Sequence, residues 1–288
     1  MSLFRRKPKS QGERLAAWRI DAIPSRDFDA EIGALLSELD VPSQRQHQGW
    51  VATLGDAPLM LHWLDEDRVL TGLAFLDDTH DAGELTELLR RNLDPWVLWY
   101  ALEDPDGDAL AARFMLPFDT FDRAAALLAV ETAAGLMADD AVAARARELR
   151  VPDRGEMTEQ AADARTRAAL AAGLEAAGLA ASERDGVWEI EVERGVVQAI
   201  PRDTGESVLF MHELDYGDGT DHVPMLRWML AASDWCGARL GLAPLPGGEG
   251  AFAACTVSAA GLQPQAVAWG VEQIVRLADV YDEKTGRT

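Results

Sequence analysis

The feature that most constrains the fold of this chain is an internal repeat. Hydrophobic periodicity predicts the same order of helices and strands twice, in residues 26–141 and again in residues 163–284. The two copies share matched positions at a nearly constant spacing, namely Trp50/Trp188 at 138, Leu70/Leu209 at 139, Leu85/Leu226 at 141 and Phe114/Phe252 at 138. A constant spacing over this length indicates a tandem duplication, so each copy is expected to fold as one small unit.

Each copy is predicted to be an α-β-β-β-α-β-β-α unit. Its first helix shows apolar side chains at i, i+3, i+4 and i+7 in the first copy (Ile32, Leu35, Leu36 and Leu39) and ends at Gly178 in the second. Runs rich in β-branched residues, separated by turn residues, give the strands. They are residues 50–54, 59–64, 69–76, 97–102 and 110–116, and then 187–192, 196–200, 208–214, 239–245 and 250–257. The predicted class is α+β, with each antiparallel sheet packed on helices.

Two segments fall outside the repeated units. Residues 1–25 are predicted to be a basic tail and lead-in, because Arg5, Arg6, Lys7 and Lys9 precede Ser10 and Gly12 without an apolar run, which favours disorder. Residues 142–162 are predicted to be a helical linker, since their Ala/Arg/Glu composition is broken by Pro152 and Gly155.

Charge and composition exclude several classes of function. The net charge of −22 repels phosphate backbones and argues against a nucleic-acid partner. No apolar run approaches the roughly 18–20 residues that span a bilayer, so no integral membrane segment is expected. The two cysteines, Cys236 and Cys255, are predicted to be buried small hydrophobes, and such sparse cysteine is typical of the reducing cytoplasm.

The sequence contains no strong catalytic motif. A serine nucleophile elbow, a Walker loop and a dinucleotide fingerprint are all missing from the sequence. The glycine-rich stretch 246–250 lacks the lysine and the strand-to-helix context of a phosphate loop, and it is predicted to be a hairpin turn. We therefore expect a protein that is not an enzyme and has no cofactor.

The nearest approach to a chemical site is an acidic loop before the second helix of each copy. Residues 77–81 include His80, and residues 218–222 include His222. Carboxylates and an imidazole at this spacing can bind a divalent cation, which leaves a metal- or small-ligand-binding sensor or enzyme as one alternative. Asp and Thr before a helix also serve as N-caps, and this second interpretation predicts no metal.

The element order resembles a known family. Strands that start Trp50-Val-Ala-Thr-Leu and Trp188-Glu-Ile-Glu-Val, together with long closing helices, make the chain similar to the type III secretion chaperone (CesT-like) fold. More narrowly, it resembles tandem YbjN-like relatives of those chaperones from actinobacteria. The resemblance implies ATP-independent, chaperone-like binding of a protein or an extended peptide along a sheet and helix surface. It also implies that one chain is a pseudo-dimer, which can exist as a monomer.

Aromatic side chains are the predicted partner-binding residues, because tryptophan is enriched at binding hot spots. Trp96 and Trp99 are an odd number of positions apart, so a strand cannot place both on one face, and one is expected to point away from its own unit's core or into an interface. A structural subunit of a larger assembly remains an alternative function. The predicted residues are Trp63, Trp96, Trp99, Tyr100, Trp228 and Trp235.

Overall fold

The structure is a computed structural model of the whole chain. It describes residues 10–22, 27–46, 49–64, 69–76, 81–93, 99–102, 106, 109–117, 123–150, 159–201, 207–216, 223–233, 237–246, 248–259 and 262–286.

Eight helices and twelve strands occur in these residues. The helices are α1 Gln11–Ala22, α2 Phe28–Glu38, α3 Ala82–Arg91, α4 Arg123–Leu136, α5 Asp140–Arg150, α6 Glu159–Ala176, α7 Val223–Ala232 and α8 Pro264–Thr285. The strands are β1 Ser43–Gln46, β2 Gly49–Leu54, β3 Ala57–Leu64, β4 Val69–Phe75, β5 Trp99–Leu102, β6 Leu110–Pro117, β7 Ala181–Arg184, β8 Val187–Val192, β9 Gly195–Pro201, β10 Ser207–Leu214, β11 Arg239–Leu245 and β12 Gly248–Ser258.

The strands form two six-stranded antiparallel sheets with one topology. Their orders are β1-β2-β3-β4-β6-β5 and β7-β8-β9-β10-β12-β11. The predicted α+β class with two units is therefore confirmed. We call α2 to α4 with the first sheet the first unit, and α6 to α8 with the second sheet the second unit.

Strand register shows the repeat more sharply than the sequence does. Trp50 pairs with Leu61, and Trp188 pairs with Ala199, so both partners are displaced by 138 positions. The same displacement relates β1 to β7 and β4 to β10, whereas β6 and β12 are displaced by 141. Two predicted matches are therefore wrong, because Leu70 corresponds to Val208 and Phe114 corresponds to Cys255. The increase arises between β10 and α7, because α3 and α7 already begin 141 positions apart.

Each unit contains one strand more than predicted. The additional strands, β1 and β7, lie at the outer edge of each sheet and expose all four of their side chains. Their sequences, Ser-Gln-Arg-Gln and Ala-Ser-Glu-Arg, show no apolar alternation, and this is why hydrophobic periodicity missed them. Short polar edge strands are a common protection against edge-to-edge aggregation.

The two units face each other about a pseudo-two-fold axis. Helix α3 packs against α7, its own counterpart, and the cross-contacts come in reciprocal pairs. Thus α3 contacts β11 while α7 contacts β5, and α4 contacts β12 while α8 contacts β6. Reciprocal contacts of this kind define an isologous interface, so one chain reproduces the geometry of a symmetric dimer.

Helix α1 belongs to the second unit although it precedes the first unit in the chain. It packs along α8, just as α5 packs along α4. Predicted disorder through Gly12 is wrong, because Ser10 and Glu13 form a reciprocal capping box that starts the helix at Gln11. The tail residues Arg5, Arg6, Lys7 and Lys9 lie outside the described residues.

Candidate functional site

Buried polar contacts join the two units at their pseudo-two-fold axis. The Trp99 indole N–H in β5 donates to the carbonyl oxygen of Ser233 at 2.8 Å, just after α7. The Arg239 guanidinium in β11 donates in return to the carbonyl oxygen of Asn92, just after α3. The Arg239 guanidinium carbon also lies 5.9 Å from the centre of the Trp99 ring. We call Asn92, Trp99, Ser233 and Arg239 the reciprocal contact.

Asn92 and Ser233, the two residues of the reciprocal contact that follow a helix, also bind the backbone of β5 and β11 in their own units. The side chain of Asn92 accepts from the Tyr100 backbone N–H at 2.8 Å, and the hydroxyl of Ser233 accepts from the Leu240 N–H at 2.9 Å. Asn92 and Ser233 are fully buried, as is Arg239. The contact between the units therefore buries the facing sides of α3 and α7 and the parts of β5 and β11 that lie against them. These surfaces are not available to a partner.

The predicted aromatic residues fall into three groups. Trp99 is buried between the units, which agrees with the expectation that one tryptophan of that run points into an interface. Trp228 is buried and lies 6.1 Å from the Tyr281 ring, while Trp63 and Tyr100 are half-buried against the core. Trp96 and Trp235 lie outside the described residues.

The acidic loops are described only in part. Asp81 is the N-cap of α3, and its carboxylate accepts from the backbone N–H groups of Gly83 and Glu84 at 2.8 and 3.0 Å. The capping interpretation is therefore confirmed for this residue. His80, His222 and residues 77–80 and 218–222 lie outside the described residues, as does Cys236. Among the residues that are described, no cluster of His, Cys, Asp and Glu has the geometry of a metal site, and Cys255 is buried.

A cleft of about 280 Å³ lies on the outer face of the second sheet, opposite its helices. In β9, Val196 and Gln198 point into the cleft, while Val197 and Ala199 alternate with them and are buried beneath. Val196 is 45% exposed, so it adds apolar surface at the mouth of the cleft. The cleft is lined by Val196, Gln198, Met211, His212, Glu213 and Phe252. Sequence reasoning missed it, because each strand taken alone shows ordinary alternation.

The walls of the cleft combine apolar surface with polar groups. The Nδ1 atom of His212 lies 2.9 Å from the carbonyl oxygen of Val196; since a carbonyl only accepts, Nδ1 carries the proton. Register places two further carboxylates on the same face, because Glu189 pairs with Gln198 and Glu191 pairs with Val196. The outer face around the cleft therefore mixes apolar and acidic side chains, because Glu213 pairs with Phe252 in the middle of the cleft. This suits a segment that carries both apolar and basic side chains.

The comparisons with known proteins give no relative. No protein-family model, curated protein or solved structure matches the chain. The resemblance to secretion chaperones therefore remains a hypothesis. Of the helices in the described part of the chain, none combines the length and the apolar character needed to cross a membrane.

Proposed function

We propose that this protein is a non-enzymatic, chaperone-like module of the cytoplasm that binds an extended peptide or a segment of a partner protein without ATP. The observation that supports the proposal is the outer-face cleft, where Val196, Met211 and Phe252 meet Glu213. The ligand that fits is a segment with apolar side chains for the cleft and Lys or Arg for the surrounding carboxylates.

Binding on the sheet face is favoured over the addition of a strand at a sheet edge. The β5 and β11 edges lie against the opposite unit. The other edges, β1 and β7, are four residues long, and they carry ion-paired side chains such as Arg45 with Asp29 and Glu183 with Arg167. Short, charged edges disfavour an added strand.

The proposal is tested with peptides selected on the full chain. A displayed library of random twelve-residue peptides is enriched on the immobilised protein, and the best peptide is measured by fluorescence anisotropy. Met211→Glu should weaken binding at least tenfold, because it replaces one of the three apolar side chains of the cleft with a charged one. Leu73→Glu is the matched control, because Leu73 occupies the corresponding position of the first sheet.

Two outcomes separate the alternatives. If both variants lose binding to the same extent, or if neither loses it, the site lies elsewhere and the proposal is overturned. Binding that is weakened by salt and exchanges within seconds supports a chaperone-like module, because exposed charges are screened at higher ionic strength. A partner that co-purifies and fails to exchange would instead support a structural subunit.

A further inference from the structure

Four side chains form one row across the outer face of the second sheet. Glu191 of β8 pairs with Val196 of β9, and Glu213 of β10 pairs with Phe252 of β12. Continuing the antiparallel register of β9 with β10 puts Glu213 opposite Val196. From β8 to β12 the row therefore reads carboxylate, apolar, carboxylate, apolar. We call these four residues the alternating row.

The alternating row ends against the first unit. The next strand, β11, places Gly241 opposite Phe252. A Cβ atom at Gly241 would lie 2.4 Å from Cδ2 of Leu93, so the residue that follows the end of α3 covers β11 at this point. Because neighbouring strands are 4.7–4.9 Å apart, the row from β8 to β12 is roughly 14 Å long. A ligand that lies along it is therefore a short segment.

The two carboxylates of the alternating row are open to a basic partner. Both Glu191 and Glu213 are exposed, and neither forms an ion pair with another described residue. The corresponding positions of the first sheet are Thr53 and Phe75, so that sheet carries neither carboxylate. Uncompensated carboxylates on a chain of net charge −22 attract cationic side chains. The second sheet therefore favours a basic ligand, and the first sheet does not.

The spacing of the carboxylates discriminates between ligand conformations. Glu191 and Glu213 lie two strands apart, which is about 9.6 Å. A polyproline II segment has three residues per turn and rises about 3.1 Å per residue, so its side chains at i and i+3 share one face about 9.3 Å apart. A β-strand repeats a face every roughly 6.7 Å instead. An α-helix is about 10–12 Å wide, which exceeds the roughly 6.7 Å between neighbouring rows of this sheet face.

We infer that the alternating row selects a polyproline II segment that crosses the strands with Lys or Arg at positions i and i+3. The basic side chains pair with Glu191 and Glu213, and apolar side chains on the neighbouring face of the segment pack on Val196 and Phe252. This inference rests on the proposed function of the same cleft. An exposed ion pair contributes little by itself, so selectivity arises because only a ligand of matching spacing forms both pairs. The preformed polyproline II helix loses little conformational freedom on binding.

Peptides that differ only in lysine spacing test the inference. Twelve-residue labelled peptides of one composition, with two lysines and two leucines in a proline host, place the lysines two, three, four or five positions apart. Their affinity for the full chain is measured by fluorescence anisotropy. We expect the spacing of three to bind at least fivefold more tightly than the spacings of two and five. The helical comparison is a stapled peptide with lysines seven positions apart, which is about 10.5 Å along a helix.

Variants of the protein test which carboxylates read the spacing. Glu191→Gln and Glu213→Gln should each reduce the preference for a spacing of three to less than twofold, because one of the two ion pairs can no longer form. Glu189→Gln is the matched control, since Glu189 lies on the same strand and the same face as Glu191 but in the neighbouring row, opposite Gln198. It removes the same charge and should leave the preference at fivefold or more.

The outcomes separate this inference from the proposed function. Equal affinity at every spacing, tighter binding of the stapled helix, no binding of any peptide in the set, or equal effects of Glu189→Gln and Glu191→Gln would each overturn the inference. The proposed function stands in those cases if Met211→Glu still weakens the library-selected peptide and Leu73→Glu does not. Failure of the proposed function is recognised separately, by equal binding of the selected peptide to the Met211→Glu and Leu73→Glu chains.

Discussion

The two units share one topology but fill their cores differently. In the first unit, Gly72 of β4 pairs with Phe114 of β6, and a Cβ atom at Gly72 would lie 2.1 Å from the Phe114 ring. The corresponding pair in the second unit is Phe210 with Cys255. Both phenylalanines are fully buried, so one ring fills the centre of each unit but comes from the opposite strand. The repeat therefore keeps one aromatic ring at this place, although a different strand supplies it in each unit.

The units differ also in the part of the chain from which their outermost helix comes. Helix α5 follows α4 directly, and its Asp139 N-cap accepts from the Gly55 N–H in the β2–β3 turn at 2.9 Å. In the second unit α8 continues to Thr285 without such a turn, and α1 takes the place beside it. The Gln11 side chain then accepts from Glu193, the counterpart of Gly55 in the β8–β9 turn. The second unit is thus completed by a helix that precedes the first unit in the chain, whereas the first unit is completed by its own α5.

The largest expected effect is loss of either central ring. Phe114→Ala and Phe210→Ala should each lower the free energy of unfolding by about 3–5 kcal/mol, because each leaves a cavity in a close-packed core. The comparison is sharpened by the double variant Phe210→Gly with Cys255→Phe, which moves the ring to the strand used in the first unit and gives it the space that Gly72 gives Phe114. Denaturant unfolding should show that the double variant recovers at least half of the loss. If the double variant instead loses as much free energy of unfolding as its two single substitutions together, the two cores are not interchangeable.

The sequence was sufficient to predict the elements with clear apolar alternation. β8 and β11 have the predicted bounds, and the stripe of α8 that includes Val267 and Ile274 is buried as expected. It was insufficient for α1, whose role depends on contacts with α8 at the opposite end of the chain. The reciprocal contact was missed for a related reason, because Asn92 and Ser233 have ordinary helix-end chemistry until the two units meet.

The second prediction compares the two helices that complete the units. Arg19 of α1 and Glu272 of α8 form a fully buried ion pair at 3.1 Å. Their counterparts in the first unit are Arg147 and Arg150 of α5, which both bind Glu131. Arg19→Leu should cost about 3 kcal/mol, because the fully buried Glu272 carboxylate then keeps only Arg276, whose guanidinium lies 3.3 Å away on a partly exposed side chain. Arg150→Leu should cost about 1 kcal/mol, since Glu131 retains Arg147.

Denaturant unfolding measures both costs, and limited proteolysis reports where the structure opens. Cleavage within α1 should become faster in the Arg19→Leu chain, because this helix is joined to the second unit only by side-chain and packing contacts. Arg14→Leu is the control from the same helix, since its ion pair with Glu193 is half exposed and should therefore contribute little to stability. Equal effects of Arg19→Leu and Arg150→Leu would contradict the special dependence of the second unit on α1.

The third prediction separates the two halves of the reciprocal contact. Arg239 donates to the Asn92 carbonyl oxygen and to the Thr256 hydroxyl, the latter at 2.7 Å, and it is fully buried. Arg239→Leu should cost about 2–3 kcal/mol, because charge-assisted bonds are lost and buried acceptors are left unsatisfied. Trp99→Phe removes one neutral hydrogen bond and should cost about 1 kcal/mol. Thermal unfolding of the two variants should rank them in this order, and the reverse order would contradict the assigned contacts.

The smallest expected effect is on the pH dependence of stability, to which two exposed ion pairs contribute, one in each unit. A hydrogen bond from Arg14 is the main cause that lowers the pKa of Glu193, and a hydrogen bond from Arg123 does the same for the pKa of Glu38. A carboxylate whose pKa is lower in the folded state stabilises the fold above its unfolded pKa, near 4.3, and this stabilisation is lost as the pH falls through the folded pKa. Arg14→Gln should raise the pKa of Glu193 toward its ordinary value and leave that of Glu38 unchanged, as measured by carboxyl NMR titration. A shift at both sites would mean that α1 influences the first unit as well, whereas no shift at Glu193 would contradict the attachment of α1 to the β8–β9 turn.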